Sequence, residues 1–321
     1  MLDKNMKPEE RLLKIEENFL LLKALHLKTD DKIYLGKKED ETCRFCSKKY
    51  PKVTFNKIAH AIPEFTNNHT LFSYYECDDC NEKFARTLET HMGDYMNPYH
   101  TLSQVRGKKG VPSYRKGGEK SRIDLRTEGL HIESHHGERD IFEFDEKNKT
   151  LTIKSIRATY IPVAIYKCLT KMALSIIDKE ELIFFNKTIE WINEENHNLT
   201  KYKFSNLPCF YSFTPGPLPH NFTSCLLFKR KEKSKDKVNY ITFLLAYGNY
   251  TFQILLPLCS LDSGELTLTA IPNPFDFNNS FGKPEYKVFD LSSIEKVRNE
   301  EVTIQMHFDD FIKEDFRDKK D

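Results

Sequence analysis

The sequence has no long apolar run. None of its segments approaches the roughly 18 consecutive apolar residues that a membrane-spanning helix needs. Its first residues, MLDKNMKPEERLLKIEENF, also carry too many charges for a secretory signal peptide. We therefore expect a soluble, cytoplasmic protein that has no membrane partner.

Net charge is almost absent as well. The 49 basic residues balance 48 acidic ones and leave a formal charge of +1. Without a large positive field, any affinity for nucleic acid must come from local basic patches. The 24 phenylalanines and 15 tyrosines are enough for a packed core, and a length of 321 residues suggests about two domains.

Disulfides are not expected among the eight cysteines in a reducing compartment, so close spacing indicates metal binding. Two CxxC pairs, Cys43/Cys46 and Cys77/Cys80, are separated by 30 residues. Each CxxC turn can place two thiolates on one metal, so the two pairs predict a four-cysteine structural Zn²⁺ site. The alternative is four unligated, buried thiols. The remaining cysteines are expected in the core: Cys168, Cys209, Cys225 and Cys259.

The segment between the pairs resembles a known family. The chain reads Cys43-Arg-Phe-Cys46, His60-Ala-Ile-Pro63-Glu64, Asn67-Asn68 and Cys77-Asp-Asp-Cys80-Asn81. This order is similar to that of the bacterial HNH endonucleases, which are ββα-metal nucleases with a zinc knuckle. In them a CxxC precedes a hairpin with H-x-I-P-E, then an Asn, then a CxxCN that opens a helix. The resemblance covers about 60 of the 321 residues and implies fusion to an uncharacterised C-terminal domain.

The resemblance implies specific roles. His60 would be the general base, since the pKa of histidine lies near neutrality. Asn68, or less favourably Asn67, would orient this histidine. Asn81 would present its side chain to a catalytic Mg²⁺ or Mn²⁺, which balances charge on the phosphate and the leaving oxygen. His91, further along, is a weaker candidate for an accessory ligand.

One position departs from the family pattern. Many members carry an acid just before the catalytic histidine, and this chain has Ala59 there. Glu64, or alternatively Glu89, could replace that acid as a ligand of the catalytic ion. Two other readings are metal binding that is weak until substrate or a partner arrives, and a nuclease fold that has lost its activity.

A basic segment follows the helix. It reads GKKGVPSYRKGG from residue 107, and its glycines and proline indicate a loop and a domain boundary. Its cations could neutralise phosphates without reading sequence, or could simply be solvated. The candidate nucleic-acid-binding residues are Arg106, Lys108, Lys109, Arg115 and Lys116.

The predicted architecture is α+β. A small zinc-stapled ββα-metal domain precedes a larger strand-rich domain with two central helices, one opened by Pro162 and one over residues 179–196. Gly248–Asn249 predicts a tight hairpin turn. The expected divisions are 1–40, with an amphipathic helix over Pro8–Leu25 and a lead-in, then 41–106 for the nuclease domain, 107–120 for the linker and 121–321 for the C-terminal domain. The first helix packs on its own domain or joins a homodimer.

These expectations combine into a functional hypothesis. The chain is expected to be a metal-dependent endonuclease that acts on nucleic acid, with DNA favoured. Its C-terminal domain would sense a regulatory ligand or a partner protein, as in bacterial anti-phage effectors, an argument by architecture alone. The alternatives are a non-catalytic, zinc-stabilised nucleic-acid-binding module, a nuclease subunit that cuts only in a partner complex, and a restriction-type enzyme with a fixed site.

Overall fold

The chain folds into a mixed α+β structure. A computed structural model describes residues 13, 15–27, 31–115, 119–138, 140–217, 220–267, 270–271 and 281–314. The helices are α1 (Asp78–Phe84), α2 (Thr90–Leu102), α3 (Pro162–Ile176), α4 (Lys179–Leu182) and α5 (Asn186–Asn193), with a π-helical turn at Ala85–Glu89 between the first two. Among these described residues, no helix is long and apolar enough to cross a membrane.

The strands form several sheets. They are β1 (Phe19–Leu27), β2 (Ile33–Leu35), β3 (Ala59–His60), β4 (Leu71–Ser73), β5 (Tyr114–Arg115), β6 (Arg122–Arg126), β7 (Gly129–Glu133), β8 (Phe142–Asp145), β9 (Thr150–Ile156), β10 (Pro208–Phe213), β11 (His220–Arg230), β12 (Ile241–Gly248), β13 (Tyr250–Leu255), β14 (Glu285–Asp290) and β15 (Glu301–His307). The largest sheet has the order β1-β11-β12-β13-β10-β14. Three smaller sheets have the orders β2-β4-β3, β5-β6-β7 and β15-β9-β8.

The first segment differs from the prediction. Phe19–Leu25 belongs to strand β1, so the helix predicted over Pro8–Leu25 is wrong there; Leu13 and residues 15–18 are helical, and residues 1–12 and 14 lie outside the described part. The leucine-rich run favours a helix locally, but antiparallel pairing with β11 overrides that preference. The segment is therefore an edge strand of the largest sheet.

Helix α3 lies at the centre of the fold. All of its residues are buried, and it packs against the π-helical turn, α2, α5 and β13. Pro162 begins it, as predicted, because proline's missing N–H costs nothing in the first turn. Apolar residues from both predicted domains join in one buried cluster around it. The limits of those domains stay a prediction.

Several local predictions are confirmed. Strands β12 and β13 pair antiparallel across Gly248–Asn249, with Tyr247 opposite Tyr250. The second central helix is present over residues 179–193, although a 3-10 turn at Ile183–Phe185 divides it. The linker prediction is wrong at Tyr114–Arg115, which form β5 and pair with β6. Tyr114 is buried, because its ring packs in a small second hydrophobic core. The four cysteines outside the CxxC pairs are all buried.

His100 on α2 yields a prediction about acid stability. It is 2% exposed, its Nε2 lies 3.0 Å from the Tyr247 hydroxyl, and burial lowers its pKa to about 3. The unfolded chain protonates histidine near a pKa of about 6.5, so the unfolded state binds more protons between these values. The free energy of unfolding should fall as the pH drops below about 6.5, by up to about 1.4 kcal/mol per pH unit from this residue.

Urea unfolding of the parent and of His100→Gln between about pH 7 and pH 5 checks this expectation. Glutamine keeps a donor toward Tyr247 but does not titrate. The variant should therefore lose stability less steeply with acid than the parent does. Equal slopes for the two proteins would contradict the assignment of this acid sensitivity to His100.

Candidate functional site

The four paired cysteines meet at one point. Each sulfur lies within 4.8 Å of the others, and no other described group of His, Cys, Asp or Glu is gathered in this way. The Sγ atoms of Cys46 and Cys77 are 3.8 Å apart, which is close to the spacing of about 3.8 Å set by tetrahedral Zn–S bonds of about 2.3 Å. A hydrogen bond from Cys80 lowers the pKa of Cys43 to about 4 and raises that of Cys80. The donor set fits a structural zinc ion.

The turn formed by the first CxxC pair is hydrogen-bonded to the C-terminal end of helix α3. Arg44, inside the first CxxC, donates from Nη1 to the carbonyl oxygens of Leu174 at 2.6 Å, Ser175 at 3.0 Å and Ile177 at 2.9 Å. These carbonyls lie at the C-terminal end of α3, where helix backbone acceptors otherwise have no partner. The guanidinium also lies 4.2 Å from the ring centre of Tyr75. Burial lowers the pKa of Arg44.

The second CxxC begins helix α1 and positions the strand that carries His60. Asp78, in that motif, accepts hydrogen bonds from the Thr54 hydroxyl at 2.6 Å and from the backbone N–H groups of Asn56 at 3.0 Å and Lys57 at 2.9 Å. These three residues lead directly into β3, which ends at His60. One acidic side chain at the start of α1 thus holds the segment that leads into the strand of His60.

Asn68 holds the hairpin between β3 and β4. It is fully buried. Its Nδ2 donates to the carbonyls of Ile62 at 2.5 Å and Leu71 at 3.2 Å, and its Oδ1 accepts from the N–H groups of Thr70 at 3.1 Å and Leu71 at 2.9 Å. These bonds reach the backbone on both sides of the loop and do not reach the imidazole. Any influence of Asn68 on His60 therefore passes through the backbone.

His60 is partly accessible at the edge of this hairpin. Its side chain is 24% exposed, and its Nε2 lies 3.7 Å from Glu64 Oε2. Its Nδ1 is buried, with no hydrogen-bond partner among the described residues. Burial lowers the pKa of His60 while the Glu64 carboxylate opposes that shift, so the neutral ring is favoured near pH 7. A neutral, partly exposed imidazole can accept a proton.

Glu64 lies between two imidazoles. Its other carboxylate oxygen is 3.9 Å from Nδ1 of His69, a residue that the sequence interpretation did not single out. Ala59, where many family members have an acid, is buried and pairs with Ser73. Of the carboxylates proposed to replace that acid, Glu64 is the one that faces His60.

A buried ion cluster lies behind the histidine. Nζ of Lys171, on α3, is 3.0 Å from Glu76, 3.6 Å from Glu89 and 3.4 Å from the carbonyl oxygen of His60, to which it donates. Burial raises the pKa of Glu76 to about 7, and burial likewise raises that of Glu89. Although burial opposes it, the two carboxylates raise the pKa of Lys171, so the lysine keeps its charge. Lysines spaced four residues apart, Lys167 and Lys171, in an otherwise apolar helix were the available sequence signal.

The remaining predicted residues lie on α1, on the turn that follows α2 and on β5. Asn81, on α1, is half-buried, and its backbone N–H donates to the Cys77 carbonyl at 3.0 Å. The side chains of Arg106, Lys108 and Lys109 are exposed. Arg115 is exposed and donates to the Glu119 carbonyl at 2.6 Å.

The basic turn begins beside the hairpin. A Cβ added at Gly107 would lie 3.4 Å from the Cα of Phe65, one residue after Glu64, and Gly107 and Gly110 close a short bridge. The charge of Lys108 is near enough to contribute to the lowered pKa of His60, after burial and other neighbours. Lys116 lies outside the described residues.

Comparison with known proteins points to the same region. A family profile described as HNH endonuclease matches residues 43–97. No curated protein and no solved structure matches the chain. The matched span contains the four cysteines, the His60 hairpin, α1 and most of α2, and the greater part of the fold lies outside it.

Proposed function

We propose that this protein is a metal-dependent HNH-type endonuclease that hydrolyses phosphodiester bonds in nucleic acid, with DNA as the expected substrate. One observation carries the proposal. A neutral, partly exposed His60 stands beside Glu64 on a hairpin attached to a four-cysteine site, within the span that matches HNH endonucleases. A weak nucleophile such as water needs a base of this kind near neutral pH.

In this mechanism His60 takes the proton from the attacking water. The Asn68 amide holds the loop backbone, and Lys171 holds the His60 carbonyl, so the backbone that carries His60 is held from two directions. Preorganisation of this kind avoids rearrangement during the reaction. Phe72, whose ring centre is 4.6 Å from that of His60, packs against the imidazole.

The catalytic Mg²⁺ or Mn²⁺ would be held by Glu64 and Asn81. The donor set suits such an ion, because carboxylate and amide oxygens are its preferred protein ligands, and Glu64 is partly exposed beside the base. When bound, the ion would supply charge to balance the phosphate and the departing oxygen. Lys108 and its exposed neighbours Arg106 and Lys109 would contact the phosphate backbone, independently of sequence.

Cleavage of plasmid DNA with Mg²⁺ or Mn²⁺ tests this proposal. His60→Ala should lower the cleavage rate by roughly 10²- to 10⁴-fold, the usual contribution of a general base. The matched control is His136→Ala, since His136 is exposed and lies in another part of the fold, and it should cleave like the parent. Discrete bands would indicate a fixed recognition site, and a smear would indicate non-specific degradation.

A non-catalytic, zinc-stabilised nucleic-acid-binding module is the second candidate. The replacement of the family acid by Ala59 favours it. It predicts DNA binding that is equal with and without Mg²⁺ and unchanged in His60→Ala. Cleavage by the parent that disappears in His60→Ala would exclude it.

The C-terminal part is proposed to control the nuclease. Support comes from α3, which contributes Lys171 to the cluster behind His60 and receives Arg44 of the first CxxC turn at its end. A ligand or partner protein that displaced α3 would therefore alter both attachments. A nuclease under such control would suit a defence role against phage, where unregulated cleavage would harm the cell.

A further inference from the structure

Three aromatic side chains lie side by side across the three-stranded sheet β2-β4-β3. Tyr34 on β2 pairs with Phe72 on β4, and Phe72 pairs with His60 on β3. Paired residues on neighbouring strands share one face of a sheet. The ring centres of Tyr34 and Phe72 are 5.4 Å apart, and the ring centre of Tyr74, the residue that follows the end of β4, lies 5.3 Å from that of Tyr34. We call Tyr34, Phe72 and Tyr74 the aromatic row.

The aromatic row lies at the surface, although the opposite face of the same strands is buried. Tyr34 is 41% exposed, and Phe72 and Tyr74 are half-buried, whereas Ala59 and Ser73 are buried. A sheet face that adjoins solvent usually carries polar side chains. Contiguous, partly exposed rings on such a face indicate a binding surface.

The rings leave room for a stacked partner. Tyr34 is nearly parallel to Phe72, at 20°, and to Tyr74, at 14°. Parallel rings with centres more than 5 Å apart are offset, so each ring leaves part of its face uncovered. A planar group could lie on the uncovered parts.

Positive charge flanks the aromatic row. The exposed Lys32 has its Nζ 5.9 Å from the ring centre of Phe72. On the His60 side, the turn that carries the exposed Lys108 begins against the same hairpin, where a Cβ added at Gly107 would lie 3.4 Å from the Cα of Phe65. Aromatic rings combined with cations are the pattern by which proteins bind single-stranded nucleic acid, since bases stack on the rings and phosphates meet the cations.

We propose that the aromatic row is a stacking platform that holds unpaired bases of single-stranded nucleic acid next to His60. In a duplex both faces of each base are covered by neighbouring bases, so only unpaired bases can use such a platform. The inference rests on the proposed nuclease function, because it assigns a substrate class to that same site. The substrate would be single-stranded, or locally unpaired, where it is cut.

Fluorescence anisotropy with labelled oligo-dT, oligo-rU and a duplex of mixed sequence tests the platform. The intact protein is used without added Mg²⁺ or Mn²⁺, so that binding is measured apart from cleavage. Tyr34→Ala should weaken binding of a single-stranded probe roughly 5- to 100-fold, as expected for the loss of one base–aromatic stack. Tyr34→Phe should bind like the parent, since it keeps the ring.

Tyr286→Ala is the matched control, because Tyr286 is 58% exposed on strand β14 of a different sheet, and it should leave binding unchanged. A thermal melt that is the same for Tyr34→Ala and Tyr34→Phe excludes misfolding as the cause of any loss. Equal affinity of Tyr34→Ala and the parent for both single-stranded probes would overturn the platform. So would binding of the duplex that is tighter than binding of the single strands and unchanged by Tyr34→Ala. The nuclease proposal is tested separately, by comparing the cleavage of DNA by the parent and by His60→Ala.

Discussion

Removal of the zinc ion that the four cysteines are proposed to hold is expected to unfold residues 43–97, and not only to abolish their activity. Structural zinc contributes about 10–16 kcal/mol in small zinc-binding peptides, which equals or exceeds the whole stability of a typical domain, about 5–15 kcal/mol. Here the thiols of Cys43, Cys77 and Cys80 are buried within the main core. Without the ion, the start of α1 and the turn around Arg44 are no longer held together by bonds from their cysteines to the metal.

Cys80→Ser is the corresponding variant, since serine is a poor zinc ligand of similar size. Zinc content by atomic absorption and thermal melting with and without a chelator measure the effect. The control is Cys259→Ser, because Cys259 is also buried and lies outside the four-cysteine group. The control should retain zinc at the parental level. Stoichiometric zinc and an unchanged Tm in Cys80→Ser would count against the site.

Replacement of Lys171 by methionine is expected to destabilise the fold and to slow cleavage together. The change leaves Glu76, which is fully buried, without its nearest cation. Breaking a buried pair by removing one partner typically costs about 3–5 kcal/mol. The same change removes the donor to the His60 carbonyl, so the proposed base should lose that support as well.

Urea unfolding and plasmid cleavage of Lys171→Met, Glu76→Gln and the double variant separate these effects. If the pair is coupled, the double variant loses less stability than the sum of the two single changes. Restored stability with cleavage still slow would assign a positioning role to Lys171. Lys179→Met is the control, since Lys179 is exposed just beyond α3. Additive losses of stability would argue that Lys171 and Glu76 do not act as a pair.

Local patterns were enough to predict several elements. The CxxC spacing brings sulfurs together in almost any fold, because each turn contributes two ligands by itself. Pro162 marks a helix start and Gly248–Asn249 a hairpin turn, since each depends on the backbone preferences of one or two residues. The candidate residues His60 and Glu64 are likewise close in the chain, so their proximity required little long-range information.

Long-range pairing decided the rest. Phe19–Leu27 is a strand only because β11 lies beside it, and leucine-rich sequence alone favours a helix. Lys171 reaches His60 across 111 positions of sequence, and Tyr34 joins Phe72 and His60 through strand register. Sequence by itself therefore predicted the four-cysteine cluster that the fold assembles, and it proposed His60 and Glu64 as chemistry-bearing residues of the hairpin. Only the tertiary structure decided which helix supports them and which surface adjoins them, because those contacts depend on how distant segments pack.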